Sequence, residues 1–229
     1  MDEPTDIIVT TRNRVGYLKR TLSHIYGRTN SEYNLSVIDD ASDDGETVDF
    51  LIGEYKAGRV HHLHLRGQHA GPMANHNLAA WASFSDPVVL VDDDVLCPDL
   101  RPDWLARGLK MMERRPDLGM LALRHPGAKV KVYRKDNEVG YCRSLGATFL
   151  FCRRELLEAH PLPHERGSMA WPMEPRCKAA NESGWLIGVM IEVFCYHIGE
   201  VSALNGAAYP GRSIPVIDEK TLEPEKRYW

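Results

Sequence analysis

Short apolar runs alternate with stretches of helical periodicity through the first ninety or so residues. Asp6 to Thr11 (DIIVTT) is β-branched and apolar, long enough for a buried strand and too short for a helix. Val15, Leu18, Leu22 and Ile25 then recur at helical spacing, with Gly27 as a stop. Leu35 to Ile38 predicts a second buried strand that ends in Asp39-Asp40. Val48, Leu51, Ile52 and Tyr55 predict an amphipathic helix closed by Gly58, followed by a third strand over Val60 to Leu65. Met73 to Ala82 predicts a third helix, and Pro87 to Val91 a fourth strand running straight into Asp92-Asp93-Asp94. Strands alternating with helices in this way predict βαβ units, hence an α/β fold with a parallel sheet covered on both faces.

Beyond Asp94 the pattern changes. Trp104, Leu105, Leu109 and Met112 predict another helix, and Leu118 to Leu123 another strand. Lys129 to Tyr141 alternates apolar and charged positions, which predicts an exposed hairpin or flap turning near Asp136-Asn137. Gly146 to Phe151 predicts a buried strand feeding a helix over Arg154 to Ala159. The four prolines between Pro161 and Pro175 predict loop, and Trp185 to Tyr196 a late apolar strand. From Gly206 onward the chain is punctuated by Pro and Gly and then charged, as suits a tail or lid.

Ligands of parallel sheets bind beyond the carboxyl ends of the strands. Polar residues crowd at those ends here: Thr10 to Arg14, Asp39 to Asp44, Arg66 to His69 and Asp92 to Asp94. Three adjacent carboxylates repel one another, and a divalent cation relieves that; Mg²⁺ is typically held by one or two carboxylates plus substrate phosphates. In an extended backbone Asp92 and Asp94 share a face while Asp93 points away. The competing reading is a solvated acidic turn capping the next helix. Asp39 sits where a Rossmann fold puts its ribose-binding acid, but Thr10-Thr11-Arg12-Asn13-Arg14 replaces the glycine-rich turn, which argues against a nicotinamide dehydrogenase. An Asx-rich turn accounts for Asp39 to Asp44 equally well. His197 ends the late apolar strand, either as a structural residue or as an imidazole ligand near Asp94. His61, His62, His64, His69 and His76 suit structural or surface positions.

Composition narrows the function classes. A net charge of −4 gives no electrostatic case for holding long nucleic acid, although Arg12, Arg14, Lys19 and Arg20 lie close together. The five cysteines contain no C-x-x-C pair, which argues against a zinc site or disulfide framework and for a reducing compartment. The opening MDEPTD does not resemble a signal peptide, and no apolar run approaches the roughly 20 residues of a membrane span. The expectation is a cytoplasmic, soluble single domain covering 1–229.

The order of these motifs resembles that of the family 2 glycosyltransferases. DIIVTTRNR is similar to the family's opening strand and donor-binding turn, and VIDDASDDGE to its VDDGSxD element. GPMANHNLAAWA resembles the GxxxARNxG helix, with Asn77 at the Asn position and His76 in place of Arg. VLVDDDVLCPDLRPDWL is similar to the D-x-D strand end, GATFLFCRREL to the later strand before R-R-E, and FCYHIG to the late VxHxxG. The resemblance spans Asp6 to Glu200 in consistent order. It implies a GT-A fold, Rossmann-like and mostly parallel, with a nucleotide-binding half over 1–95, an acceptor-side half over 96–200 and a tail or lid over 201–229.

It also implies an inverting, metal-dependent transfer from a UDP-, TDP- or GDP-sugar to an acceptor hydroxyl. Asp92, Asp94 and His197 would hold Mn²⁺ or Mg²⁺, while Thr10, Arg12, Asp39, Arg66, Asn77, Asp92 and Asp93 would face the donor. The family's acidic run before a Gly-Tyr or Gly-Trp turn is replaced by WPMEPRCKAANESGW, leaving Glu174 as the candidate base or an ordinary loop carboxylate. The acceptor is open among a glycan, a protein, a metabolite and a modified nucleobase, and a homodimer is left open too. Two rival readings are a sugar-1-phosphate nucleotidyltransferase and a non-catalytic nucleotide-sugar-binding protein.

Overall fold

The computed structural model describes residues 3–125, 130–146, 148–162 and 173–198. The elements in chain order are β1 (Thr5–Thr11), α1 (Val15–Arg28), β2 (Tyr33–Asp39), α2 (Gly45–Lys56), β3 (His62–Leu65), α3 (Pro72–Trp81), β4 (Val88–Asp92) and β5 (Val95–Leu96). There follow α4 (Trp104–Arg114), β6 (Leu118–Arg124), β7 (Val132–Lys135), β8 (Val139–Cys142), β9 (Phe149–Cys152), α5 (Arg154–Ala159), α6 (Glu174–Glu182), β10 (Leu186–Phe194) and β11 (Tyr196–His197). The tail from 201 and most of the 161–175 segment lie outside the described residues.

Nine strands form one sheet in the order β3-β2-β1-β4-β9-β6-β10-β8-β7. Strands β1 to β4, β6, β7 and β10 run one way; β8 and β9 run the other. The sheet is therefore mixed, with mostly parallel strands. Strand periodicity divides the core in two. Ile7, Val9, Val37, Val89 and Val91 face one layer with Leu18, Leu22, Leu51, Trp104, Leu105 and Met112, so α1, α2 and α4 cover that side. Ile8, Ile38, Val88 and Leu90 face the other, with Ala79, Ala80, Leu156, Leu157, Cys177 and Ala180 of α3, α5 and α6. All five cysteines are buried and unbridged. Among the described residues no helix is long and apolar enough to cross a membrane.

Several local expectations shift. Gly27 lies inside α1, which runs to Arg28, because a single glycine near a helix end costs only about 1 kcal/mol. The third strand begins at His62, after a turn in which His61 Nδ1 accepts the Leu35 amide at 2.9 Å. Glu174 and Pro175 open α6 rather than ending a loop; proline is welcome in a first helical turn, where its missing N–H would have no partner anyway. The β7–β8 hairpin turns at Asp136, whose Oδ1 accepts the Glu138 and Val139 amides. The two-stranded ribbon β5–β11 was not legible in the pattern, since two-residue strands carry no periodicity.

Helix α4 is held tightly to the sheet at Gly108. A Cβ added there would lie 2.1 Å from Phe151 Cζ, and Phe151 is fully buried beside Trp104. Gly108→Ala is expected to lower stability by about 1–3 kcal/mol through overpacking, despite alanine's higher helix propensity. A urea midpoint equal to or above that of the wild type would contradict this packing.

Candidate active site

The parallel register levels the carboxyl ends of three neighbouring strands. Thr11 of β1 stands opposite Asp39 of β2, and Thr10 opposite Asp92 of β4. The chain can only turn here, because the next residues are polar and the strands end together. The loop after β1 and the loop after β2 are knitted by Asn13, which takes a left-handed φ of 53°. Its amide donates to Asp43 Oδ1 at 2.6 Å, its Oδ1 accepts the Asp43 amide at 2.9 Å, and its backbone N–H donates to Ser42 Oγ at 2.8 Å.

After Asp92 the backbone leaves the extended conformation and turns through Asp93 and Asp94 into β5. The face shared by Asp92 and Asp94 in a straight strand is thereby lost, and Asp93 and Asp94 instead converge on Arg14. Asp93 is buried, accepting from Thr11 Oγ1 at 2.6 Å and from Arg14 Nη1 at 2.9 Å. Its carbonyl accepts Thr21 Oγ1 at 2.7 Å, and the same hydroxyl accepts the Val95 amide at 3.0 Å, so α1 pins the turn. Asp94 Oδ2 lies 2.6 Å from Arg14 Nη2, and Asp94 Oδ1 lies 3.2 Å from His197 Nε2. The β5–β11 ribbon makes that last contact, helped by the Ile198 amide donating to the Asp94 carbonyl at 2.8 Å. His125, at the end of β6, stands with its ring centroid 6.0 Å from that of His197.

The three acids are held differently. Burial, with Asp94 and Asp93 alongside, pushes Asp92 well above the usual carboxylate range. Burial also pushes Asp93 up to about 7, against the opposing pull of Arg14 and of hydrogen bonds from Thr11 and the Arg12 amide. Asp94 is buried as well, but the neighbouring His197, joined by Arg14, outweighs burial and keeps it below its ordinary value. Asp94 is thus the settled anion of the group. Its Oδ1 is buried without a hydrogen bond, its approach to His197 being electrostatic.

That oxygen is a test of fit for a cation. Among the described residues no group of three or more His, Cys, Asp or Glu side chains is arranged to hold a metal. Two donors side by side, Asp94 Oδ1 and His197 Nε2, still fit an ion that draws its remaining ligands from a substrate's phosphates, as Mg²⁺ commonly does. Asp92 ends β4 beside them without a gathered ligand geometry.

On the β2 side of the edge, Asp39 accepts the Ser42 amide at 2.9 Å and the Ser42 hydroxyl, closing an Asx-type turn. Asp40 accepts the Ala70 and Gly71 amides at 2.9 and 2.8 Å and meets His69 Nδ1 at 2.8 Å, fixing the loop before α3. Arg66 reaches toward Asp40 at 3.7 Å and donates to Asn75 Oδ1 at 3.3 Å, while Arg12 Nε is buried without a hydrogen bond. Asn77 is engaged elsewhere. Its amide clasps the backbone of Leu162 in both directions, at 2.9 and 2.8 Å, and its Oδ1 accepts from the buried Arg176 of α6 at 3.2 Å. Its neighbour His76 is driven down to about 3 by burial and then by Arg176. Glu174 is exposed in the first turn of α6.

The structure therefore gathers Thr10, Asp39, Asp92, Asp93, Asp94 and His197 at one edge, with Arg12 and Arg66 on its loops. It sets Asn77 on the α3–α6 face. Thr11, Asn13, Arg14 and Asp40 were legible only as members of the polar stretches at the strand ends, without individual roles, and sequence reasoning missed Thr21 and His125 altogether.

Residues 6–171 match the profile of Glycosyl transferase family 2, and the chain belongs to that family. Its fold is the GT-A fold. Similar solved structures include the mannosyltransferase PcManGT from Pyrobaculum calidifontis in complex with GDP-Man and Mn²⁺, at a TM-score of 0.70 and 19% identity, covering 88% of this chain and 58% of that one. S. aureus TarS 1-349 in complex with UDP-GlcNAc matches at 0.66 and 18%, covering 90% and 61%. GalNAc-T7 with UDP, GalNAc and Mn²⁺ matches at 0.68 and 14%, covering 86% and 45%. The chain thus spans between 45% and 61% of these three chains' length. No curated protein matches the sequence.

Proposed function

We propose that this chain is a metal-dependent, inverting glycosyltransferase that moves a sugar from a nucleoside-diphosphate sugar to an acceptor hydroxyl. The observation that carries the reading is Asp94, an ionised and buried carboxylate with one oxygen unbonded beside His197, at the carboxyl edge of a family 2 sheet. Mn²⁺ in PcManGT and GalNAc-T7, and nucleotide sugars in PcManGT and TarS, support extending it to a cation and a sugar nucleotide.

In this reading Asp94 and His197 hold Mn²⁺ or Mg²⁺, with Asp92 at the strand end. The ion, when bound, offsets charge developing on the departing nucleoside diphosphate. Asp93 does not touch the ion; with Thr11, Thr21 and Arg14 it keeps the turn in place. Thr10, Arg12, Asp39 and Arg66 border the nucleoside and phosphates. Asn77 acts from behind, clasping Leu162 and Arg176 so that the start of α6 is fixed. Glu174, exposed in the first turn of α6, takes the proton of the acceptor hydroxyl as its oxygen attacks the anomeric carbon. Residues 1–95 then form the nucleotide-binding half and 96–200 the acceptor side.

Asp94→Ala is expected to abolish both transfer and metal-dependent donor binding. Release of nucleoside diphosphate is the product to measure; pyrophosphate in its place would make the enzyme a nucleotidyltransferase, and undiminished turnover in the variant would remove the metal role. Glu174→Gln is expected to slow transfer by about 10²–10⁴-fold with donor binding unchanged. A wild-type rate in that variant would move the base to another residue.

A further inference from the structure

The acid turn already contains a cation of its own. Arg14 Nη1 donates to Asp93 Oδ1 at 2.9 Å, and Thr11 Oγ1 fixes the other oxygen of that carboxylate at 2.6 Å. Arg14 Nη2 stands 2.6 Å from Asp94 Oδ2, yet this nitrogen is buried without a hydrogen bond. The two ends of one guanidinium are therefore held unequally. Nη1 is anchored in a bonded chain through Asp93 and Thr11, while Nη2 makes a close ion pair with Asp94 that no further bond supports. The side chain is only 12% exposed and its guanidinium carbon lies 4.5 Å over the Tyr17 ring, which favours rotation in place over a swing into solvent.

Asp94 is also the carboxylate that offers its oxygens to a divalent ion. A guanidinium and a divalent cation repel each other strongly when they share one buried anion. Arg14 and Asp94 neutralise each other as a pair. A divalent ion added to that pair leaves two positive charges over, and the diphosphate of a sugar nucleotide carries two negative ones.

We propose that Arg14 couples metal binding to donor binding: its Nη2 neutralises Asp94 until a divalent cation takes that carboxylate, and then turns about the Asp93 anchor to the donor diphosphate. This rests on the reading of Asp94 and His197 as metal ligands. Arg14 is thus a donor-binding residue, which exchanges one anion for another. The coupling makes the cation bind weakly alone and tightly with nucleotide, so the ion enters with the donor rather than before it. It also keeps the acid turn compensated while no donor is bound.

The test is a titration of Mn²⁺ followed by the EPR signal of the free ion, with and without UDP, TDP or GDP, after subtracting the Mn²⁺–nucleotide complex formed in solution. The wild type is expected to bind Mn²⁺ at least about tenfold more tightly with its preferred nucleotide. Arg14→Met is expected to bind Mn²⁺ alone about tenfold more tightly than wild type and to lose most of the nucleotide enhancement. Arg14→Lys, a point charge that cannot bridge two carboxylates, should fall between them. Wild-type affinity and enhancement in Arg14→Met overturn the coupling and leave the metal site standing; should that variant not fold, the same result in Arg14→Lys does so. Absence of Mn²⁺ binding by the wild type with every nucleotide overturns the metal reading, and the coupling with it.

Discussion

The site depends on how three consecutive acids are kept at the end of one buried strand. Breaking a buried ion pair by removing one partner typically costs about 3–5 kcal/mol, so the turn needs compensation within its own walls. Arg14 supplies the charge, Thr11 and the Arg12 amide supply hydrogen bonds, and His197 faces the remaining oxygen. Thr11, Arg12 and Arg14 come from the end of β1 and the loop after it, and His197 from the distant β11. The loop after β1, the helix α1 through Thr21, and the late ribbon β5–β11 all meet at Asp93 and Asp94. Their convergence ties the order of the fold to the chemistry of its edge.

The sheet makes that convergence accurate. Because β1 pairs in parallel with both β2 and β4, the residues that end each strand are level by register rather than by loop design. The apolar strand residues behind them are fully buried against two separate helix layers, so the edge cannot slide without moving side chains of both layers at once. Loops on such a frame can be short and still precise. Asp39 closes its own turn through Ser42, Asp40 fixes the loop before α3, and Asn13 ties the first loop to the second.

Much of this was legible before any coordinates. The β-branched runs gave β1, β2 and β4 close to their observed limits, since buried parallel strands read as continuous apolar segments. The acids at their ends followed from where those runs stopped. What escaped notice depends on long-range geometry. The straight-strand expectation paired Asp92 with Asp94, but the backbone turns after Asp92 and brings Asp93 and Asp94 together on Arg14. Arg14 lies 79 residues from its partner, and no local pattern announces such a pair. Asn77 looked like a donor contact by resemblance, whereas its amide clasps Leu162, 85 residues away. Pro175 signalled loop because proline is read first as a breaker, and its tolerance in a first helical turn was overlooked.

The central claim is that the edge bearing Asp94 and His197 binds a cation and a nucleoside diphosphate as one unit. The most direct measurement is the melting temperature with UDP, TDP and GDP, each with and without Mn²⁺, in the wild type and in Asp94→Asn, since a ligand that binds only the folded chain raises it. The account predicts that at least one nucleotide stabilises the wild type more with Mn²⁺ than the two do separately, and that Asp94→Asn erases the difference. Equal stabilisation by nucleotide with and without the ion, or an undiminished effect in the variant, would contradict it.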